Sequence, residues 1–202
     1  LAIGLFIFWH GKNQKGVTKD GPVADLPADI APGRDKAILV TGNGQSISLS
    51  DSLTGFSGAE QGTRFVKTAA GELVYQPDAP TATISSAVLH TLRTPAGGQF
   101  KVVLPDGSVV WLNAASSLQF PTVFTGTERR VQLTGEAFFE VKRDDSKPFR
   151  VLLADSSQVE VLGTRFNIMH YPDETTQQTT LVEGSVKIAV KGKEQLLRPG
   201  EQ

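Results

Sequence analysis

Apolar side chains recur at every second position along most of this sequence, which is the spacing of a β-strand with one buried face. Ser46–Ser50 and Ser185–Lys191 both alternate in this way, and Phe100, Val102 and Leu104 share one side of a third run. No window of a dozen residues carries the 3.6-residue period of an amphipathic helix. The sequence therefore predicts an all-β chain.

Tight-turn dipeptides separate these runs. Asn43-Gly44 and Asp106-Gly107 are the strongest signals, because both residues of each pair tolerate the positive φ angles of a primed hairpin turn. Strands spaced about 8–12 residues apart with such turns are typical of a sandwich, a barrel or a solenoid. The helices that parallel β-α-β units need are missing. We expect mostly antiparallel hairpins that form a twisted two-layer sandwich or a β-solenoid-like body.

The sequence divides into four expected segments. The apolar run Leu1–Trp9 is shorter than the roughly 20 residues that cross a bilayer, but it ends in a Trp and polar, basic residues follow it. We expect residues 1–10 to be the C-terminal end of a truncated transmembrane helix; a signal-peptide core and a buried strand are the alternatives. Residues 11–31 are expected to be a linker, because they are rich in Gly, Lys, Pro and Asp. An N-terminal β segment at 32–80 and a β domain at 81–202 complete the division.

The composition excludes several classes of protein. The 202 residues include no Cys, which rules out a disulfide scaffold, an iron–sulfur cluster, a Cys-ligated zinc site and a Cys nucleophile. Lys and Arg number 20 against 21 Asp and Glu, for a net charge of −1. A dedicated nucleic-acid binder would instead carry a basic stripe, so we expect no nucleic-acid partner.

The sequence contains no recognisable catalytic motif. His10, His90 and His170 are 80 residues apart, which is not the spacing of a zinc-binding pair, and we interpret His170 as a satisfied or surface histidine. Asp144-Asp145 and Asp173-Glu174 would need to face a partner across a cleft to act as glycosidase carboxylates; we interpret both pairs as solvated turn residues. We therefore predict no enzyme activity, no cofactor, and no catalytic, cofactor-binding or metal-binding residue.

Two aromatic stretches yield structural predictions. Trp111 lies between two apolar neighbours, and we expect it to be buried in the core as a structural anchor. Glu136 and Glu140 are in phase on one side of a strand with Phe138 between them, which predicts a mixed polar and aromatic face.

Eight short stretches occur in a characteristic order in the C-terminal half of the sequence. They are Thr94–Gln99, Leu104–Ser108, Val110–Leu118, Leu133–Val141, Lys147–Phe149, Val161–Asn167, Leu181–Val186 and Leu197–Gly200. In this order, over residues 94–202, the chain closely resembles the FecR family of bacterial periplasmic signalling proteins. Asp29–Gly33 and the strands up to Tyr75 are similar to the segment that precedes this domain in many members.

The resemblance implies an architecture that the residues themselves do not reveal. It implies a cytoplasmic domain that binds an ECF sigma factor, one transmembrane helix, this β region in the periplasm and, in many members, a small C-terminal domain. The full protein would be an anti-sigma factor in the inner membrane that senses the signalling domain of a TonB-dependent outer-membrane transporter. This chain would be its relay region, and its partners would include the missing C-terminal domain.

Two other functions stay open at this point. A carbohydrate-binding or carbohydrate-active periplasmic β domain would be indicated by an exposed aromatic row or by a cleft that holds two carboxylates. A spacer that holds a downstream domain away from the membrane is the third possibility. The sequence singles out no partner-binding residue.

Overall fold

Strands account for all the regular secondary structure in the described part of the chain. The computed structural model describes residues 34–50, 53, 55–78, 87–190 and 192–202, so the expected membrane end and linker lie outside the described residues. Within these ranges no helix is long and apolar enough to cross a bilayer. The strands are β1 (Arg34–Asp35), β2 (Ala37–Val40), β3 (Ser46–Leu49), β4 (Ser57–Glu60), β5 (Thr63–Lys67), β6 (Leu73–Pro77), β7 (Leu89–Arg93), β8 (Gly98–Val103), β9 (Val109–Leu112), β10 (Ser117–Pro121), β11 (Arg129–Glu140), β12 (Phe149–Leu153), β13 (Gln158–Val161), β14 (Arg165–His170), β15 (Gln178–Glu183), β16 (Val186–Val190) and β17 (Lys193–Leu197).

These strands form two sheets that share one strand. The order in the first sheet is β3-β2-β7-β10-β11-β12-β13-β16-β17. The order in the second sheet is β4-β5-β6-β8-β9-β11-β14-β15, with β1 beside the start of β8. The described pairings are antiparallel except β1–β8, β6–β8 and β11–β12. The prediction of an all-β body of mostly antiparallel hairpins is confirmed, and its arrangement is closer to the sandwich than to the solenoid.

Strands from the two expected β segments lie side by side in both sheets. β2 of the 32–80 segment pairs with β7 of the 81–202 segment in the first sheet. β6 and β8 pair in the same way in the second sheet. Both sheets fall within one compact unit, Pro32–Gln202.

β11 is the strand that the two sheets share. Its first half pairs with β10 and β12, and its second half pairs with β9 and β14. Buried and more exposed side chains alternate without interruption along its 12 residues, so one strand supplies core side chains to both sheets. Gly135 lies where the pairing changes, with a φ of 91°, a backbone conformation that costs other residues energy.

Aromatic side chains fill the space between the two sheets. Phe139 of the second sheet stacks on Phe166 at 5.0 Å and lies 6.2 Å from Phe149 of the first sheet, measured between ring centroids. Tyr75 and Phe120 make a second contact between the sheets, edge to face at 5.0 Å. Such ring pairs contribute about 0.5–1.5 kcal/mol each beyond the area they bury. The facing sides of the sheets therefore form one continuous core.

A buried arginine joins the loops at one end of the sandwich. Arg129 is 2% exposed and forms an ion pair with Asp106, which lies in the β8–β9 turn, at 2.8 Å. Its guanidinium also donates to the carbonyl oxygens of Lys142, Lys147 and Leu162, at 2.7, 2.8 and 3.3 Å. Loops from both sheets therefore depend on one side chain, and removal of a partner from such a buried pair costs about 3–5 kcal/mol.

The two strongest turn signals form hairpins, but the predicted turn type is wrong. Gly44 and Gly107 have φ angles of 84° and 87°, whereas Asn43 and Asp106 are not among the described residues with positive φ. The Gly44 N–H donates to the Thr41 carbonyl at 2.9 Å, as in a type I turn that ends on a left-handed glycine. The reason is that Asn43 and Asp106 each accept, through the side-chain oxygen, the N–H two residues further on, and this local bond favours the ordinary turn.

We expect Gly135→Ala to lower the free energy of unfolding by about 1–3 kcal/mol. The new Cβ would be strained by the positive φ and would lie 2.8 Å from the Ser116 Cα. Urea unfolding followed by circular dichroism measures the change. Gly126→Ala is the matched control, because its Cβ would meet nothing within 4 Å, and it should change stability by less than about 0.5 kcal/mol. Equal losses in the two variants would contradict the role given to Gly135.

Candidate functional site

The outer face of the second sheet carries rows of side chains that cross neighbouring strands. A row is built by the strand register, because directly paired residues present their side chains on the same face. The central row contains Lys101, Trp111, Phe138, Asn167 and Thr180. The predicted mixed face of β11 is confirmed, with Glu136, Phe138 and Glu140 all partly exposed on this side.

Trp111 is 37% exposed, so the prediction that it is buried in the core is wrong. Its neighbours Val110 and Leu112 are 0% and 1% exposed. Because consecutive side chains of a strand point to opposite faces, two buried neighbours place the residue between them on the outside. Trp111 instead contacts Phe138 across the strands, at 5.7 Å between ring centroids.

A groove with a volume of about 490 Å³ lies beside Trp111. It is in the size range of small ligand pockets, and β1, β8, β9, β11 and β14 all contribute to its lining. Glu136 is its central polar group: Oε2 accepts a hydrogen bond from Asn113 Nδ2 at 2.7 Å, and Oε1 accepts one from Asn167 Nδ2 at 3.0 Å. Two neutral amides therefore hold this carboxylate in a defined position.

Lys101 places a cation against the indole of Trp111. Its Nζ lies 5.4 Å from the centre of the Trp111 ring and 2.7 Å from the Glu72 Oε2. Glu72 thus neutralises the cation of the groove. The carboxylates of Asp35 and Glu136, which also line the groove, have no cationic partner among the described side chains. The groove is therefore aromatic and acidic in character.

The sequence does not single out this groove as a site, although three of the eight stretches supply most of its polar and aromatic groups. Trp111 and Asn113 come from one of the eight stretches, Glu136 and Phe138 from a second, and Asn167 from a third. Strict alternation along β9 and β11 could have placed these side chains on the outer face. Their convergence requires the pairing of β9 and β14 with β11, which the sequence alone does not reveal.

The two carboxylate pairs considered for catalysis lie in different loops, and the side chains of the first pair are bound within their own turn. The Ser146 side chain and N–H donate to Asp144 at 2.7 and 3.0 Å, and these bonds hold the pKa of Asp144 below its ordinary value. Asp145 pairs with Arg143 at 3.1 Å. Asp173-Glu174 is exposed in the turn that follows β14. In the described part of the chain, no group of His, Asp and Glu side chains has the arrangement of a metal site.

A buried chain of hydrogen bonds joins β4, β6 and β7. The Tyr75 hydroxyl donates to His90 Nδ1 at 2.7 Å, and His90 Nε2 donates to Glu60 Oε2 at 2.8 Å. This direction follows because a carboxylate can only accept, so that Nε2 carries the proton of a neutral imidazole. Burial lowers the pKa of His90, against the opposing effect of Glu60, and raises the pKa of Tyr75. Because Tyr75 is buried, the array ties strands together and presents no nucleophile to solvent.

His170 is interpreted from the sequence as a histidine that is either fully hydrogen-bonded or on the surface, and the structure shows neither. It is buried at the end of β14, and its Nδ1 has no hydrogen-bond partner among the described atoms. Its Nε2 lies 3.6 Å from the Asp155 carboxylate. Burial alone would raise the pKa of Asp155, but hydrogen bonds from Ser157 and Gln177 outweigh it and lower the pKa to about 2.

Comparisons with known proteins found one family model and two solved structures that resemble this chain. Residues 90–187 match the sequence model of the family described as FecR protein. Two crystal structures, each of a candidate anti-sigma factor from Parabacteroides distasonis ATCC 8503, are 37% identical to the chain, with TM-scores of 0.54 and 0.53. The matches cover 55% and 54% of this chain and 52% and 51% of the solved chains, so the chain spans about half the length of these relatives. No curated protein matches the chain.

We expect Trp111→Ala to lower the free energy of unfolding by about 1–2 kcal/mol, because the side chain is partly in water but loses its contact with Phe138. Phe139→Ala is the matched comparison, since Phe139 lies on the buried side of β11 at 0% exposure; it should cost about 3–5 kcal/mol. Guanidinium unfolding of both variants measures the difference. A Trp111→Ala loss as large as that of Phe139→Ala would show that Trp111 is a core residue after all.

We expect the stability of the chain to fall as the pH drops below about 6.5, in part because of His90. Its pKa is lowered from 6.5 in the folded chain, so the unfolded chain binds more protons in this range and acid favours unfolding. Protonation would also remove the acceptor for the Tyr75 hydroxyl. Urea unfolding at about pH 7.5 and pH 5 measures the loss, and His90→Gln should make it smaller. An identical loss in wild type and variant would refute the assignment.

Proposed function

Residues 90–187 form a FecR domain, and on that premise we propose that this chain is the periplasmic relay region of a transmembrane anti-sigma factor. The family match is the observation that carries the proposal, and the two solved relatives support a role in the regulation of a sigma factor. The protein would sense a TonB-dependent outer-membrane transporter through the signalling domain of that transporter. It would control an ECF sigma factor through a cytoplasmic domain on the other side of the inner membrane.

The relay would work by binding, without a chemical step. An edge strand exposes unpaired N–H and C=O groups that can accept a strand from another protein. β17 offers such an edge: within the described chain it pairs only with β16, and its Leu196 is 63% exposed. The natural donors are a C-terminal domain of the full protein or the signalling domain of the transporter.

Such a contact transmits a signal only if the partner binds two states of the protein with different affinity. A preference of about 1.4 kcal/mol shifts the ratio of the two states tenfold. We propose that one state restrains the full protein and that the other opens it to proteolysis near the membrane, which releases the sigma factor.

A carbohydrate-binding domain is the second candidate, and the groove beside Trp111 favours it. Trp111 and Phe138 form an exposed aromatic pair, and two carboxylates line the same groove. The charge of the groove favours the relay instead: the Asp35 and Glu136 carboxylates that line it have no cationic partner among the described side chains, and a neutral sugar would leave them without one.

Site-directed cross-linking in cells that express the full-length protein tests the relay. The chain has no Cys, so Lys193→Cys and Leu196→Cys each introduce one reactive position on β17. We expect both to cross-link to the C-terminal domain or to the transporter, with a yield that changes on induction. Asp173→Cys, in an exposed turn outside both sheets, is the control and should give no such product.

An absence of cross-links from both β17 positions, with and without inducer, would contradict relay through this edge. Normal signalling by a protein in which an unrelated domain replaces residues 94–200 would contradict the relay altogether and would identify a spacer.

A further inference from the structure

The groove beside Trp111 has an uneven balance of charge. Asp35 and Glu136 contribute two carboxylates to its lining, and Lys101 contributes the one cation among the described lining residues. Lys101 is already paired with Glu72, which lies outside the lining, at 2.7 Å. The groove therefore offers negative charge that no described cation neutralises.

The carboxylate of Glu136 can accept hydrogen bonds from a further partner. Each of its oxygens receives one hydrogen bond from a neutral amide, and a carboxylate oxygen can accept more than one. The two bonds fix the direction of the carboxylate without removing its charge. A donor that enters the groove would therefore meet a positioned anion, which lowers the conformational cost of binding.

The aromatic pair of Trp111 and Phe138 beside Glu136 also suits a cationic ligand. The face of an aromatic ring attracts cations, and the position of Lys101 over Trp111 shows that this indole does so within the molecule itself. Phe138 lies on the neighbouring strand at 5.7 Å, with its ring tilted by 54°. The two rings and the carboxylate thus offer apolar surface and negative charge within one groove.

We propose that this groove binds an arginine side chain presented by a protein partner. A guanidinium is flat, so it can lie on an aromatic ring, and its fork of N–H donors matches a carboxylate. Charge complementarity favours a cation over a neutral sugar, and an interface with Trp at its centre is typical of protein recognition. The inference rests on the proposed relay function, because it names the chemistry of a partner surface. The groove lies on the second sheet, whereas the β17 edge belongs to the first.

Nuclear magnetic resonance of the isotopically labelled chain tests the proposal with small probes. The probes are N-acetyl-arginine amide, its neutral isostere N-acetyl-citrulline amide, and cellotetraose. The indole N–H of Trp111, assigned with Trp111→Phe, and the side-chain amides of Asn113 and Asn167 report directly on the groove. We expect saturable shifts of these signals with the arginine probe in the millimolar range.

The charge of Glu136 should decide the affinity. We expect the citrulline probe to bind about three- to fivefold more weakly than the arginine probe, because a single exposed charge pair contributes modestly in water. Glu136→Gln should remove most of this difference. Glu183→Gln is the matched control, since Glu183 lies on the same sheet but outside the groove and its side chain is 70% exposed. Added salt should weaken the arginine probe alone.

Three results would overturn the inference. Equal affinity for arginine and citrulline would show that charge does not matter, and absence of saturable shifts up to about 50 mM would show that the groove holds no such side chain. Binding of cellotetraose more tightly than arginine would identify a glycan site. These outcomes are separate from the cross-linking result: a groove that fails to bind arginine leaves the β17 contacts intact, and missing β17 contacts leave arginine binding intact.

Discussion

The two-sheet architecture depends on one strand that belongs to both sheets. β11 pairs with β10 and β12 along its first half and with β9 and β14 along its second. Because its alternation continues across the change, the residues on its inner side enter one core and those on its outer side face solvent. The two sheets are therefore joined covalently and by hydrogen bonds through this strand. Gly135 makes the passage possible by adopting a backbone angle that other residues avoid.

Because β11 carries the chain from the first sheet into the second, the chain must return to the first sheet after it. The chain leaves the second sheet after Glu140 and re-enters the first as β12, parallel to the start of β11. Arg129 closes this path, because its guanidinium binds two carbonyl oxygens in the returning loop as well as Asp106 in the neighbouring hairpin. The buried charge thus satisfies loop carbonyls that would otherwise lack partners inside the protein.

The same alternation that fills the core also builds the surface available to partners. Along β9 the residues Val110 and Leu112 point inward, and Trp111 between them points outward. The two stretches that form β9 and the second half of β11 therefore contribute both to the core and to the groove. The body thus combines a continuous core with an exposed edge at β17 and an aromatic, acidic groove. In the described chain the hydrogen-bonded array of Tyr75, His90 and Glu60 joins β6, β7 and β4.

The sequence by itself determined the strands, the positions of the main hairpins and the absence of thiol chemistry, because these depend on local spacing and composition. It also contained the information that Trp111 is exposed, since strict alternation requires it, but its apolar neighbours led to the opposite prediction. Only the tertiary structure decided which strands pair, that β11 serves both sheets, and that Trp111, Glu136 and Asn167 share one groove. Strand pairing joins segments that are distant in sequence, and it is selected by how all the inward faces can be buried together, which no local pattern encodes.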